Sequence, residues 1–232
     1  MKKKILFIIS SAAFIGPNKR KTGYYLPEVT HPHYEFLQAG YEVDFVSIEG
    51  GEPPVDGLEV EDPLNKIFLE SDAWNKINNT QSVADVDTSE YVAVFVPGGL
   101  GPVVDMPENE HVQRILADFY DRGDVVGAVC HGPVALLNVK LKDGSYLVAD
   151  KNVASFSNSE EEGYAKEDVP FLLESALVER GAKYASVEDW QPYSVTDERL
   201  VTGQNPASAK GVAEKMMALL EQKEVASEVA AG

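Results

Sequence analysis

Four stretches of the chain are continuously apolar rather than alternating: residues 5–9, 43–48, 92–96 and 125–129. A strand covered on both faces reads this way, because neither side of its pleat meets water. Between these runs the apolar spacing becomes helical. Residues 27–39 end at Gly40, a helix stop, and YEVDFVSI follows at once as the next strand. In MPENEHVQRILADFYDRG, Val112, Ile115, Leu116 and Phe119 share one face of a predicted helix that opens at Pro107 with two acids and stops at Gly123. Buried strands alternating with amphipathic helices predict a three-layer α/β sandwich around a mostly parallel central sheet.

Two segments depart from the repeat. Residues 50–88 are too long for a simple crossover, so the sequence predicts a small cap insertion with a short helix near residues 64–77. After a strand-like stretch at 153–156, the pattern predicts a helix around 169–180 and two short strands flanking the polar turn of YSVTDERLVTG. A closing helix follows over 206–222. The chain therefore reads as one domain over residues 1–223, with a frayed tail at 224–232.

Composition narrows the function classes. With 232 residues and 44% hydrophobic content, the chain is long enough for one large core. Its 20 basic and 38 acidic residues give a net charge of −18, which argues against a nucleic-acid or anionic-membrane surface. The start MKKKILFIISSAAFIG has the outline of a signal peptide, but its apolar stretch is too short to span a bilayer. Its ILFII run matches the later strands, so it reads as a first strand, with a reducing cytoplasm as the expected setting.

The single cysteine, Cys130, lies in DVVGAVCHGPVAL, where an apolar strand ends abruptly between small residues. In open α/β sheets ligands sit beyond the carboxyl ends of the strands, and this is such an edge. Pro133 suits the first turn of a helix, and Gly132 permits a tight strand-to-helix turn like a nucleophile elbow. A thiol at a helix N-terminus is expected to have a lowered pKa and to act as a nucleophile. An isolated cysteine is more often a small buried hydrophobe; the CHGP context favours the nucleophile. A second turn, VFVPGGLGPVVD, ends another strand with Gly98, Gly99 and Gly101, whose backbone N–H groups can approach a developing oxyanion. The spacing of a Walker lysine loop or a GxGxxG turn is absent, which removes the phosphate-binding readings.

AVCHGP, VPGGLGP, TGYYLPEVTHP and LVTGQNPASA, in this order, resemble the ThiJ/PfpI superfamily, specifically its heat-shock chaperone and glyoxalase III branch. The resemblance runs from about Lys4 to Leu220 and implies a flavodoxin-like sandwich related to class I glutamine amidotransferases. It identifies Cys130 with the nucleophile, His131 with its sequence neighbour and Glu28 with the acid lying against the sulfur. A carboxyl placed there is expected to share a proton with the thiol, because two adjacent anions repel. The third partner falls among Glu160, Glu161 and Glu162, with Glu161 at the family spacing. Many relatives have a histidine where Leu100 stands.

The same resemblance implies a cofactor-free glyoxalase that converts methylglyoxal and related 2-oxoaldehydes to 2-hydroxy acids, working as a homodimer. A stress-induced holding chaperone, a cysteine peptidase or amidase, and a redox sensor are the other classes it leaves open. Among the remaining residues, Tyr24 and Tyr25 stand beside Glu28 and are expected at the pocket, ahead of Trp74 and Trp190. His31 and His33 are separated by Pro32 and lack a cysteine cluster, so no metal site is expected. His111 reads as a surface residue. The basic run NKRKTG reads as a loop that relieves the acidic field, with a rim for anionic substrates as its alternative.

Overall fold

The computed structural model describes residues 3–231. Among these, seven strands make the central sheet: β1 (Lys4–Ile9), β2 (Glu42–Ser47), β3 (Gln81–Ser82), β4 (Tyr91–Val96), β5 (Val125–Val129), β6 (Ser194–Asp197) and β7 (Leu200–Gly203). Their order is β6-β7-β5-β4-β1-β2-β3, and every neighbouring pair is parallel except the hairpin β6–β7. The α-helices are α1 (Leu26–Gln38), α2 (Pro63–Leu69), α3 (Asp72–Ile77), α4 (Gly101–Asp105), α5 (Glu110–Asp121), α6 (Asn158–Glu162), α7 (Leu173–Glu179) and α8 (Ala209–Ala231).

Alternation along β1 divides the core. Ile5, Phe7 and Ile9 join the apolar faces of α1 and α8, while Leu6 and Ile8 join Val112, Ile115, Leu116 and Phe119 of α5. Both faces of the sheet are thus covered, which is why its strands are apolar throughout and why the flavodoxin-like sandwich was legible. Gly127 in β5 has a packing role that the strand pattern does not reveal. A methyl group there would lie 2.2 Å from Met216 Sδ, so the missing side chain makes room for α8.

The four long strands lie within one residue of their sequence bounds, whereas the helices differ more. Asn109 caps α5 by accepting from the N–H groups of His111 and Val112, so Pro107 and Glu108 fall in the turn before it. The single helix expected at 64–77 is two, because Ser71 accepts from Ala73 N–H and starts a second helix. The helix expected from 169 begins only at Leu173, after Pro170, which disfavours helical backbone at the residue preceding it.

The tail expected to fray continues α8 to Ala231. Lys223 Nζ anchors it, bonding Gly123 O at 2.9 Å and Asp124 Oδ1 at 2.5 Å, and Glu224 pairs with Lys3. Residues 50–88 are tied into the main fold by β3 and by Phe68 and Ile77, which pack in the cluster of Phe45. Val55–Asp56 pairs with Tyr24–Tyr25, and this ribbon sets the neighbouring loop beside the carboxyl ends of the strands. None of the described helices is long and apolar enough to cross a membrane.

Candidate active site

Strand β5 runs directly into Cys130, whose φ of 60° places a non-glycine residue in the left-handed region. Such backbone costs about 1–3 kcal/mol and persists only where its surroundings enforce it. Here Cys130 N–H donates to Gly203 O at 3.0 Å, and Cys130 O accepts from Phe156 N–H at 2.9 Å. The turn also needs Gly132, where a methyl group would lie 2.2 Å from Val96 O. The chain then makes a short 3-10 turn, Gly132–Leu136, in place of the expected α-helix.

That difference corrects the expected acidity of the thiol. A single tight turn lacks the dipole of a full helix, and Cys130 is buried, so burial raises its pKa well above the ordinary value. The neighbouring Glu28 carboxyl raises it further, by charge and by hydrogen bonding, against the opposing effect of His131 and Gly99 N–H groups donating to the sulfur.

Glu28 lies in the first turn of α1 and is wholly buried. Its Oε2 accepts from Gly98 N–H at 2.6 Å, while Oε1 has no hydrogen-bond partner of good geometry. Burial pushes its pKa up to about 8, despite the lowering influence of the Cys130 thiol and Gly98 N–H. Repulsion between two adjacent anions is the cause of proton sharing that the sequence suggests; in the structure desolvation is the larger cause. Together the thiol and the carboxyl titrate as one pair that keeps a shared proton after losing its first.

On the other side of the sulfur, His131 Nδ1 lies 3.5 Å from Cys130 Sγ. Its Nε2 is 2.5 Å from Glu161 Oε2, and both residues are buried. In the neutral ring, donation from Nε2–H to Glu161 turns Nδ1, as an acceptor, toward the sulfur. The three adjacent glutamates have separate tasks. Glu160 caps α6 through Ser157 and accepts from Trp190 N–H and Asn205 Nδ2, whereas the exposed Glu162 pairs with Lys166.

Other expected residues sort differently. Tyr24 and Tyr25 are adjacent in an extended ribbon and point to opposite sides. Tyr25 lines the cavity and donates from its hydroxyl to Glu59 Oε1 at 3.2 Å; Tyr24 is a core residue packed among Ile9, Leu26 and their neighbours. Gly98 is also corrected: its N–H is taken by Glu28, so Gly99 and His131 supply the backbone donors at the sulfur. A methyl group on Gly98 would lie 2.6 Å from Glu28 Oε2 and 2.9 Å from Cys130 Cβ, so this glycine lets acid and thiol approach each other.

Above Cys130 is a cavity of about 320 Å³. Tyr25, Asp56, Gly57 and Glu59 form part of its wall, and Phe156, Tyr164 and Trp190 form an aromatic part. Arg20, from the basic run, reaches its rim, bonds Asp168 Oδ2 at 3.2 Å and lies 4.8 Å from the Tyr164 ring centroid. Arg20 thus matches the rim that was the alternative reading of the basic run, whereas Tyr164 has no site signal in the sequence and Trp190 ranks below Tyr24 and Tyr25 there. Leu100 packs with Ile15, Val103 and Ala165 in an apolar cluster.

The two histidines of α1 are engaged elsewhere. His31 Nε2 is 2.6 Å from Asp62 Oδ2, and His33 is stacked on Phe45, with burial lowering its pKa to about 4. Trp74 lies beside Phe68, away from the cavity at Cys130.

The DJ-1/PfpI family model matches residues 21–219, and those bounds include Glu28, the glycine turn, the elbow and Glu161. The chain belongs to this family. Among relatives, Glyoxalase 3 of Candida albicans is 32% identical over 95% of this chain and 99% of its own. The glutathione-independent glyoxalase HSP31 of Saccharomyces cerevisiae is 33% identical over 91% of this chain and 95% of its own. Among solved structures, the 24 kDa Rapid Encystment Protein of Francisella tularensis superposes with a TM-score of 0.90 at 40% identity, covering 94% of this chain and 99% of that one. Glyoxalase III of Candida albicans gives 0.84 at 29% identity, with 94% and 97% covered.

Proposed function

We propose that this protein is a glutathione-independent glyoxalase that converts 2-oxoaldehydes such as methylglyoxal to 2-hydroxy acids on Cys130. The observation that carries the reading is the buried Glu28–Cys130 pair, which offers a nucleophile and an adjacent proton carrier beside one cavity. The names of the relatives support the reaction class.

In the reactive form the pair holds one proton, written as thiolate and carboxylic acid. Sγ adds to the aldehyde carbon, C1, and the Glu28 proton passes to its oxygen, giving a neutral hemithioacetal. The Glu28 carboxylate then takes the C1 proton, and the electron pair of that bond forms an enediolate with the C2 carbonyl, whose oxygen takes the negative charge. Return of that proton from Glu28 to C2, with the C1 hydroxyl proton passing to the C2 oxygen, gives a thioester of the 2-hydroxy acid. His131, oriented by Glu161, removes a proton from water as it attacks C1, and the sulfur leaves as thiolate. The sum is 2-oxoaldehyde plus water to 2-hydroxy acid, so no external oxidant or reductant is required. Gly99 and His131 N–H groups stabilise negative charge at the sulfur between turnovers.

The reading takes the protein to act as a homodimer in the cytoplasm, as the family resemblance implies, and sedimentation at twice the 25.3 kDa chain mass is its signature. Its test is methylglyoxal consumption with lactate detection in the absence of glutathione. Activity is expected in the native protein and lost in Cys130→Ser; a folded native protein that forms no lactate overturns the reading.

A further inference from the structure

The cavity above Cys130 is larger than methylglyoxal needs. Phe156, Tyr164 and Trp190 are mutually edge-on, with centroid separations of 5.6 Å for Phe156–Tyr164, 5.5 Å for Phe156–Trp190 and 6.1 Å for Tyr164–Trp190. His131 extends the cluster, lying 4.4 Å from the Phe156 centroid, so the rings begin at the reacting sulfur. The cavity of about 320 Å³ equals on the order of ten waters at about 30 Å³ each. Methylglyoxal leaves most of that space unfilled.

The outer rings are also held at a cost. Trp190 has φ 63°, in the left-handed region that disfavours a bulky residue, yet its side chain is 49% exposed beside the cavity. Its backbone N–H is fixed by Glu160 Oε1, which also accepts from Asn205 Nδ2, and Gln204 pins the same loop through Val187 N–H and O. Tyr164 is 39% exposed on the cavity and carries the Arg20 guanidinium against its ring. Buried polar groups thus hold an indole in strained backbone without burying its ring in the core. An apolar group of a bound molecule would complete its packing.

We infer that Trp190, with Tyr164 and Phe156, selects the substituent of the 2-oxoaldehyde and makes this protein prefer aryl over methyl substrates. The inference rests on the glyoxalase reading and deepens it. The aryl group packs edge-on against the indole while its carbonyl carbons stay at Cys130, and water and atoms balance as for methylglyoxal, phenylglyoxal giving mandelate. Asp56 and Glu59 face the same space, and Arg20 at its rim is already paired with Asp168, so a neutral aryl ring fits it better than an anionic substituent.

The test compares kcat/KM for phenylglyoxal and methylglyoxal in the native protein, Trp190→Ala and Trp190→Phe. The expected result is a native preference for phenylglyoxal, a fall on the order of tenfold in Trp190→Ala for that substrate, partial retention in Trp190→Phe, and a distinctly smaller loss for methylglyoxal, so that the ratio of the two kcat/KM values falls. Equal losses on both substrates, or a native protein that prefers methylglyoxal, overturn the inference while leaving the glyoxalase reading standing. A second readout needs no turnover: titration with the neutral product analogues mandelamide and lactamide. Tighter mandelamide binding that is lost in Trp190→Ala supports the aromatic selection even if neither aldehyde is consumed, a result that overturns the reaction alone. Equal binding of the two amides overturns the selection.

Discussion

Replacing Glu28 by glutamine should make the protein more stable and less active at once. In the unfolded chain the carboxyl ionises near 4.5, while burial raises it to about 8 in the folded protein. The native state therefore holds a proton that the unfolded state releases, and stability falls as pH rises from about 4.5 to about 8. At about 1.4 kcal/mol per pH unit, this linkage costs about 3 kcal/mol at pH 7. Glutamine keeps an oxygen for Gly98 N–H and carries no proton to lose, so Glu28→Gln should recover about 2–3 kcal/mol at pH 7 and nothing below pH 4. The same change removes the proton carrier beside Cys130, and turnover should fall about 10²- to 10⁴-fold. Chemical denaturation at pH 4, 7 and 8.5 alongside methylglyoxal turnover reads both effects. A variant no more stable than native at pH 7, or one whose stability gain does not grow with pH, refutes the burial argument; turnover within about threefold of native refutes the acid–base role.

Three further outcomes follow from the same geometry. The native pH–rate profile of kcat/KM should rise through an apparent pKa near 8, where the thiol–carboxyl pair loses its first proton; a flat profile between pH 6 and 9 contradicts the shared-proton pair. Glu161→Gln should lower turnover by about 10²-fold with the fold intact, because the amide can present N–H to His131 Nε2 and reverse its tautomer, whereas Glu162→Gln should leave kinetics unchanged. Gly98→Ala should destabilise by about 1–3 kcal/mol in thermal melts and abolish turnover, since its methyl group would meet Glu28 and Cys130 together.

The long strands and the Cys130 elbow were legible because each is specified locally. A strand covered on both faces is apolar at every position, and a strand-to-helix nucleophile requires glycine where Val96 O approaches. Glu161 was legible only as one of three adjacent acids; choosing among them required the turn of α6, which aims one carboxylate at His131 and its neighbour at Trp190 N–H. Tyr24 could have been separated from Tyr25 by the period of two in extended chain, since one must face the core when the other faces the cavity. Arg20, Tyr164 and Trp190 come from three distant loops, and no short-range pattern brings them together. The thiol's raised pKa was illegible for a related reason, because burial is a tertiary property and outweighs the local turn.

The central claim is that Cys130 attacks the aldehyde, and trapping that bond tests it most directly. Native protein mixed with excess methylglyoxal, quenched in acid during turnover and digested at low pH, should carry an adduct of methylglyoxal mass, the acid-stable lactoyl thioester, on the peptide containing Cys130. Cys130→Ser should carry none there and should form no lactate. Lactate formation that persists in Cys130→Ser, or native turnover with the peptide always unmodified, contradicts the account.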